Sequence, residues 1–403
     1  MPDASLRIAW AGPWNDRSAI AEFGAAVATA LTAAGHHVEV WRTETGAAAR
    51  LNPRPAPFRV HPAGALPPLE GFDAILVNLG NYYPFHALAP AILAARPAIA
   101  ILHDAEMGHF ADEWRADPDP APPHALRHAP ALAPALAALA CAAVVHGPHQ
   151  LADIEAACPG PVLQLPLAYD PRLPALPRLI GGPLAIATIG HVNPNKRASE
   201  VLRALAASPA LAAGSTYTLI GPADPAEQDR LTRLAAALGA PAPCFTGWLP
   251  EAAMLERLGG IDVLACLRHP ATEGGSASLV LALRSARPTL VSDTASYAEI
   301  PDGLALRCPA GAEAPYILRH LEWVRDNPGL AHAMGEAAAR YAAVAHAPAA
   351  YAAALVPFLR TAVRGAPALF AARATGLAAA RLGLAPGDPV PRAFAATLAG
   401  LLS

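Results

Sequence analysis

The chain has 403 residues, 54% of them apolar and 15% charged, with 29 basic against 32 acidic side chains and a net charge of −3. That length suits two domains of ordinary size, each able to bury a full core. The near-neutral balance excludes a broad attraction to nucleic acid, and the abundant apolar residues, with 44 Pro and 30 Gly in no triplet period, exclude a disordered or fibrous chain.

The opening Met-Pro-Asp-Ala-Ser-Leu-Arg carries an acid and runs straight into a strand-like segment, so no signal peptide is expected. From there short apolar runs alternate with longer Ala/Leu-rich stretches, the pattern of a parallel sheet covered by helices. Strands are predicted over 6–11, 37–41, 74–79, 98–102, 143–146 and 161–166. A Pro/Gly-rich linker follows at 171–182, and the series restarts at 184–189, 217–220, 243–246, 263–267, 288–292 and 304–308. Helical sequence at 315–345 and 349–363 closes the second half, and an Ala-rich tail, helical in part, is broken at 386–389. The expected organisation is an N-terminal Rossmann-like domain over 1–170, the linker, a C-terminal Rossmann-like domain over 183–345, a closing helix over 346–364 and a tail over 365–403. Ligands of such sheets lie beyond the carboxyl ends of the strands, so two tandem doubly wound domains are expected to face a central cleft.

Cys141, Cys158, Cys244, Cys266 and Cys308 are scattered singly, without a C-x-x-C, and read as buried small residues in a reducing, cytoplasmic compartment. The least charged stretch, 129–145, is short of the roughly 20 residues of a membrane span and contains Pro130 and Pro134. No transmembrane segment is expected, with peripheral association at the inner membrane surface left open. No His/Asp/Glu set has metal-ligand spacing, and no G-x-S-x-G nucleophile turn occurs.

Two loops carry candidate chemistry. The first, Gly190-His191-Val-Asn193-Pro-Asn195-Lys196-Arg197, follows a strand and enters a helix, where free N–H groups and the positive dipole end suit an anion. Lys196 is the single lysine beside 28 arginines, a compact charge able to reach one diphosphate oxygen. The second, Arg268 to Ser278, holds Glu273, then Gly274, Gly275, Ser276 and Ala277 before another helix. Its small residues allow close ligand approach, and Glu273 is either a helix-start acid or an acceptor for sugar hydroxyls.

The order of Gly190, Lys196, a strand ending at Gly221, the Phe245-Thr-Gly247 turn, Asp262-Val, Arg268 and Glu273-Gly-Gly-Ser resembles the family 4 retaining glycosyltransferases of the GT-B fold. The resemblance extends to the Gly12-Pro-Trp-Asn loop, to Val77-Asn-Leu-Gly-Asn81 and to Ile101-Leu-His103-Asp104, covering residues 6 to about 360. It implies that Lys196 contacts the donor diphosphate, Glu273 the donor sugar, the backbone of Gly274, Gly275 and Ser276 a phosphate, and His103 the sugar. The Gly12 loop would close over the phosphates, with Arg197 or Arg268 assisting Lys196. His191 replaces the family's Arg, Leu281 its second Glu, and Ala19 a frequent Gly. A leucine side chain accepts no hydrogen bond, so the ribose must be held otherwise.

The function implied is metal-independent transfer of a hexose from a nucleoside diphosphate sugar to an acceptor the sequence does not identify, a glycan or lipid-linked one being open, with the anomeric configuration retained and no cofactor. The alternative is a non-catalytic GT-B partner that binds a nucleotide sugar or glycan; a related phosphorylase or epimerase is a third reading.

Overall fold

The structure is a computed structural model and describes residues 5–68, 70–119, 123–171, 173, 182–385 and 388–402. Most of the expected linker, 172 and 174–181, lies outside the described residues, as do 386–387 of the break expected in the tail. The chain forms two compact units.

The first unit comprises Met1–Ala168, Thr272–Gly275 and Pro348–Ser403. Its strands are β1 (Arg7–Gly12), β2 (His37–Arg42), β3 (Val60–His61), β4 (Ala74–Leu79), β5 (Ile99–Leu102), β6 (Ala142–Val145) and β7 (Val162–Gln164). They pair in parallel in the order β3-β2-β1-β4-β5-β6-β7. The central strands are buried along almost their whole length because helices cover both faces. Trp41, Leu79, Ile92, Phe110 and Trp114 fill one face. The helix Ala19–Ala33 starts where Ser18 Oγ accepts from the Ala21 N–H.

The second unit comprises Tyr169–Ala271 and Ser276–Ala347. Strands β8 (Leu184–Ile189), β9 (Ser215–Ile220), β10 (Cys244–Phe245), β11 (Val263–Cys266), β12 (Thr289–Asp293) and β13 (Leu306–Pro309) run in parallel in the order β10-β9-β8-β11-β12-β13. Helix Pro225–Leu238 shows how local chemistry sets boundaries: Pro225 opens it, and Gly239 closes it at φ 72°. In both units the strand order reverses beside the first strand, between β1 and β4 and between β8 and β11, which is where a doubly wound sheet leaves a crevice for ligand.

Every predicted strand is present, with ends shifted by at most two residues, and β3 is an addition of two residues. The predicted helix over 315–345 is two, Ala314–Asp326 and Pro328–Ala345, because Pro328 has no N–H to continue the first. The segment expected to close the second half packs instead with the first unit: Tyr351 meets Phe23 edge-on at 5.2 Å. Its helix, Pro348–Arg381, runs past the expected end at 364 and through Pro367, with Ala362 and Ala366 buried on its inner face. The stretch Pro328–Arg381 is long and apolar enough to cross a membrane by length and composition, a property the absence of an expected span had not anticipated. Tyr351, Leu355 and Leu359 within it are core residues.

Candidate functional site

In the second unit three strand-end glycines converge. Gly190 ends β8 at φ 96°, and its N–H donates to the Ile220 carbonyl at 2.8 Å. Gly221, after β9, has φ 143°, and a Cβ there would stand 2.4 Å from the Gly190 carbonyl oxygen. Gly247, at φ 66°, pairs with Gly221 in an isolated bridge. These three positions therefore carry no side chain of their own, and among the groups beside them is Thr246 Oγ1, which accepts from the Gly221 N–H at 3.3 Å.

Lys196 lies in this setting. It ends a 3-10 turn, Pro194–Lys196, is 4% exposed, and its Nζ donates to the Ile189 carbonyl at 2.6 Å. A Cβ on Gly190 would stand 2.9 Å from that Nζ. The turn is held to the loop after β11 by the His269 N–H, which donates to the Asn195 carbonyl at 2.9 Å. The lysine thus sits beside the reversal point of the sheet. Asn193 Oδ1 and Asn195 Oδ1 are buried with no hydrogen-bond partner among the described residues. Buried acceptors without donors are costly, so both oxygens suit a ligand with hydroxyl or N–H groups.

Other residues expected at the donor are committed elsewhere. Arg197, left-handed at φ 57°, donates to Glu313 Oε2 through Nε and Nη2 at 3.1 and 2.9 Å. Burial pushes the Glu313 carboxyl up, but the Gly311 N–H and Arg197 outweigh it and hold the pKa below the usual value. Arg268 is buried, with Nη1 donating to its neighbour's carbonyl, Leu267 O, at 2.8 Å and its guanidinium over the Tyr297 ring. These arginines brace the loops rather than present free forks. His191 is exposed on the loop after β8. Ser276 caps the helix Ala277–Arg284 by accepting from the Leu279 N–H at 3.4 Å, with Ala277 as its first residue. Leu281 of that helix is 3% exposed in the apolar core, so its position offers nothing polar.

The first unit holds Glu273, Gly274 and Gly275. Glu273 and Asp104 pair across an isolated antiparallel bridge, and the Gly274 N–H donates to the His103 carbonyl at 2.8 Å. A Cβ on Gly274 would lie 2.1 Å from Gln150 Oε1, and one on Gly275 2.8 Å from Leu167 Cβ. The two glycines are thus required by packing, a reason different from the ligand approach expected of them. Asp104 Oδ2 accepts from the Asn81 N–H at 2.7 Å. Burial pushes its pKa up to about 7, the Asn81 N–H opposes this, and the Glu273 charge adds to it.

His103 does not offer a ring nitrogen to a sugar. Its Nε2 lies 3.0 Å from Asn78 Oδ1 and its Nδ1 3.2 Å from His146 Nε2. The Asn78 amide donates to the Ala11 carbonyl at 3.1 Å, which turns its oxygen toward His103 and assigns the proton to His103 Nε2. Burial, then the neighbouring His146 and His86, keep His103 neutral; burial lowers His146 and His86 to about 4. Gly12 ends β1 with its Cβ position 3.1 Å from Asn78 Cβ. The loop after it is pinned by Glu44, whose Oε1 accepts from the Trp14 N–H at 2.7 Å and from Asn15 Nδ2 at 3.1 Å. Sequence reasoning missed Glu44, Gln150 and His149, whose Nε2 lies 3.2 Å from the Glu273 carbonyl oxygen, and quoted Asp104 only beside His103 without a role. A single acid at the end of a predicted strand was the one signal for Asp104.

The first unit also has a cavity of about 630 Å³, lined by Arg17, Thr45, Tyr82, Tyr83, Glu113 and Asp117 among others. Tyr82 is 42% exposed, Tyr83 Oη donates to Asp117 Oδ2 at 2.7 Å, and Glu113 Oε2 has no hydrogen-bond partner among the described residues, with His109 Nδ1 3.6 Å away. Among the described residues no group of three or more His, Cys, Asp and Glu could hold a metal ion.

No protein-family model matches the chain, and no curated protein matches it. Solved structures do. A sucrose-phosphate synthase from Thermosynechococcus elongatus superposes with a TM-score of 0.64 at 15% identity, over 88% of this chain and 98% of its own. HepE from Anabaena, in complex with UDP and glucose, gives 0.63 at 14% identity over 88% and 100%. WaaG, a glycosyltransferase involved in lipopolysaccharide biosynthesis, gives 0.59 at 15% identity over 86% and 98%. These neighbours are GT-B glycosyltransferases, and the chain has the GT-B fold.

Proposed function

We propose that the chain transfers a hexose from a nucleoside diphosphate sugar to a hydroxylated acceptor, without a metal and with the donor's anomeric configuration kept. The observation that carries the proposal is the buried Lys196 ammonium beside the strand-end glycines Gly190, Gly221 and Gly247, with two unpartnered amide oxygens on the same loop. In such a transfer the bond between the anomeric carbon and the diphosphate oxygen breaks, and the barrier lies in the charge left on the diphosphate. A fixed ammonium and a helix N-terminus stabilise that charge without reorganising. Lys196 and the start of the helix Ala277–Arg284 take this role. The leaving phosphate accepts the proton of the acceptor hydroxyl as the new glycosidic bond forms.

Because Leu281 belongs to the core, the ribose hydroxyls have the Asn193 and Asn195 oxygens as acceptors in its place. Glu273 orients the sugar hydroxyls, and His103 acts as a positioning residue through its carbonyl, which holds Gly274. The cavity of the first unit suits the acceptor: the exposed Tyr82 ring offers a face to a sugar, and Glu113 and Asp117 accept from hydroxyls. Synthesis of a glycan on the cytoplasmic side of a membrane is the setting proposed. UDP-glucose, which HepE binds, is the first donor to test.

The test is incubation with labelled UDP-glucose and other nucleotide sugars while following both binding and release of the nucleotide. Release of nucleotide with transfer or hydrolysis of the sugar supports the transferase. Saturable binding without release supports a non-catalytic nucleotide-sugar-binding partner, the reading favoured by the core position of Leu281. No binding of any nucleotide sugar rejects both.

A further inference from the structure

We propose that the C-terminal helical tail is a membrane-surface anchor whose occupant is an anionic lipid bilayer. Residues 360–402 hold five arginines, Arg360, Arg364, Arg373, Arg381 and Arg392, against the single acid Asp388, a surplus of four positive charges in a chain whose net charge is −3. The remainder of the chain therefore carries −7. Asp388 is spent locally, since its Oδ2 accepts from the Ala385 N–H at 2.7 Å.

The root of the tail is fixed and its far part is not covered. Ala366 is buried, its carbonyl accepts from Cys141 Sγ, and Arg373 Nη2 donates to the Leu93 and Ala94 carbonyls at 2.8 and 2.9 Å. Beyond Arg373 no residue from 374 to 385 is buried. Two large apolar side chains stand in solvent there, Leu377 at 56% and Leu382 at 78% exposed, and Val390 follows at 69%. Leu377 and Arg381 are four residues apart on one helix and share a face. Arg392 lies two residues beyond Val390, near the start of helix Pro389–Leu402.

An apolar residue and a guanidinium side by side match the two layers of a lipid surface. Acyl chains take the leucines and the valine, and phosphates take the arginine forks. A protein partner would have to supply both an apolar face and an acidic rim. The segment lies on the membrane rather than crossing it, because Arg360, Arg364 and Arg373 interrupt its apolar sequence and Tyr351, Ala352, Leu355 and Leu359 belong to the core.

The experiment is flotation of the full chain with phosphatidylcholine vesicles, with and without phosphatidylglycerol, at low and high salt. The full chain is expected to float with the anionic vesicles only, and less at high salt. Arg381→Ala with Arg392→Ala should weaken binding about fivefold per arginine. Leu377→Glu with Leu382→Glu and Val390→Glu should abolish it while leaving the melting temperature and the binding of UDP unchanged. Flotation is read without turnover, so its failure and that of the transferase reading are distinguishable. No binding of the full chain to anionic vesicles, equal binding by the triple variant, or a dimer in light scattering that the triple variant loses would each overturn the proposal.

Discussion

Replacing Lys196 by Met removes one charge while keeping a flexible side chain of similar length in a site that is 4% exposed. The lost group is an ammonium whose Nζ donates to the Ile189 carbonyl at 2.6 Å and lies against Gly190. A hydrogen bond from such a charge to a diphosphate contributes about 1.5–3 kcal/mol, which is roughly a 10- to 150-fold weaker affinity for UDP. Folding responds differently. A buried ammonium is expensive to desolvate, and a volume-conserving exchange in a packed site costs less than about 1.5 kcal/mol. Calorimetric titration with UDP, alongside a thermal melt, therefore separates the two quantities. The expected result is a large loss of affinity at a nearly unchanged melting temperature. An affinity within about twofold of the parent would refute the reasoning, because the phosphate would then be held elsewhere.

Gly190→Ala should mimic that loss by another route, since φ 96° disfavours a Cβ and the new methyl would meet Lys196 Nζ at 2.9 Å. Gly35→Ala is its control: φ is 90° with nothing within 4 Å, so stability should fall while UDP binding is kept. Stability should decline on acidification from about pH 6.5 toward 4, because His103, His146 and His86 have lowered pKa values and the unfolded chain takes protons the native state refuses. Asp104 acts with the opposite sign, its raised pKa removing stability as pH climbs toward about 7. Urea midpoints across that range should therefore rise with pH, and Asp104→Asn should gain relative stability at pH 8; no gain there would reject the buried-acid assignment. Tyr82→Ala should raise the acceptor KM and leave donor hydrolysis unchanged, and an equal effect on both would detach the first-unit cavity from the acceptor.

The alternation of apolar runs made the two sheets readable, since a strand buried on both faces needs a continuous apolar run and leaves its signature within six residues. β3 escaped because two residues, Val60 and His61, carry no period. The unbroken run of the helix Pro348–Arg381 past 364 escaped because Gly365 and Pro367 are local stop signals, overridden where Ala362 and Ala366 are buried and Arg373 is anchored on the carbonyls of Leu93 and Ala94. Lys196 was legible through its rarity and through the strand-end glycine and helix start on either side of it. Asn193 and Asn195 were visible as loop formers, but their unpartnered oxygens depend on what surrounds them.

Order of elements, strand-end glycines and the isolated lysine are properties of neighbours along the chain, and the amino-acid sequence by itself determined them. Partnership was decided only by the tertiary structure. Arg197 finds Glu313 across 116 residues, His146 finds His103 across 43, and Trp14 finds Glu44 across 30. Each of these pairings changes what a residue can do: a fork read as free is spent on a carboxylate, and a histidine read as facing a sugar is saturated by its neighbours. The physical reason is that backbone conformation is set by short-range sterics and periodicity, whereas the charge state and free valence of a side chain are set by groups that folding brings beside it.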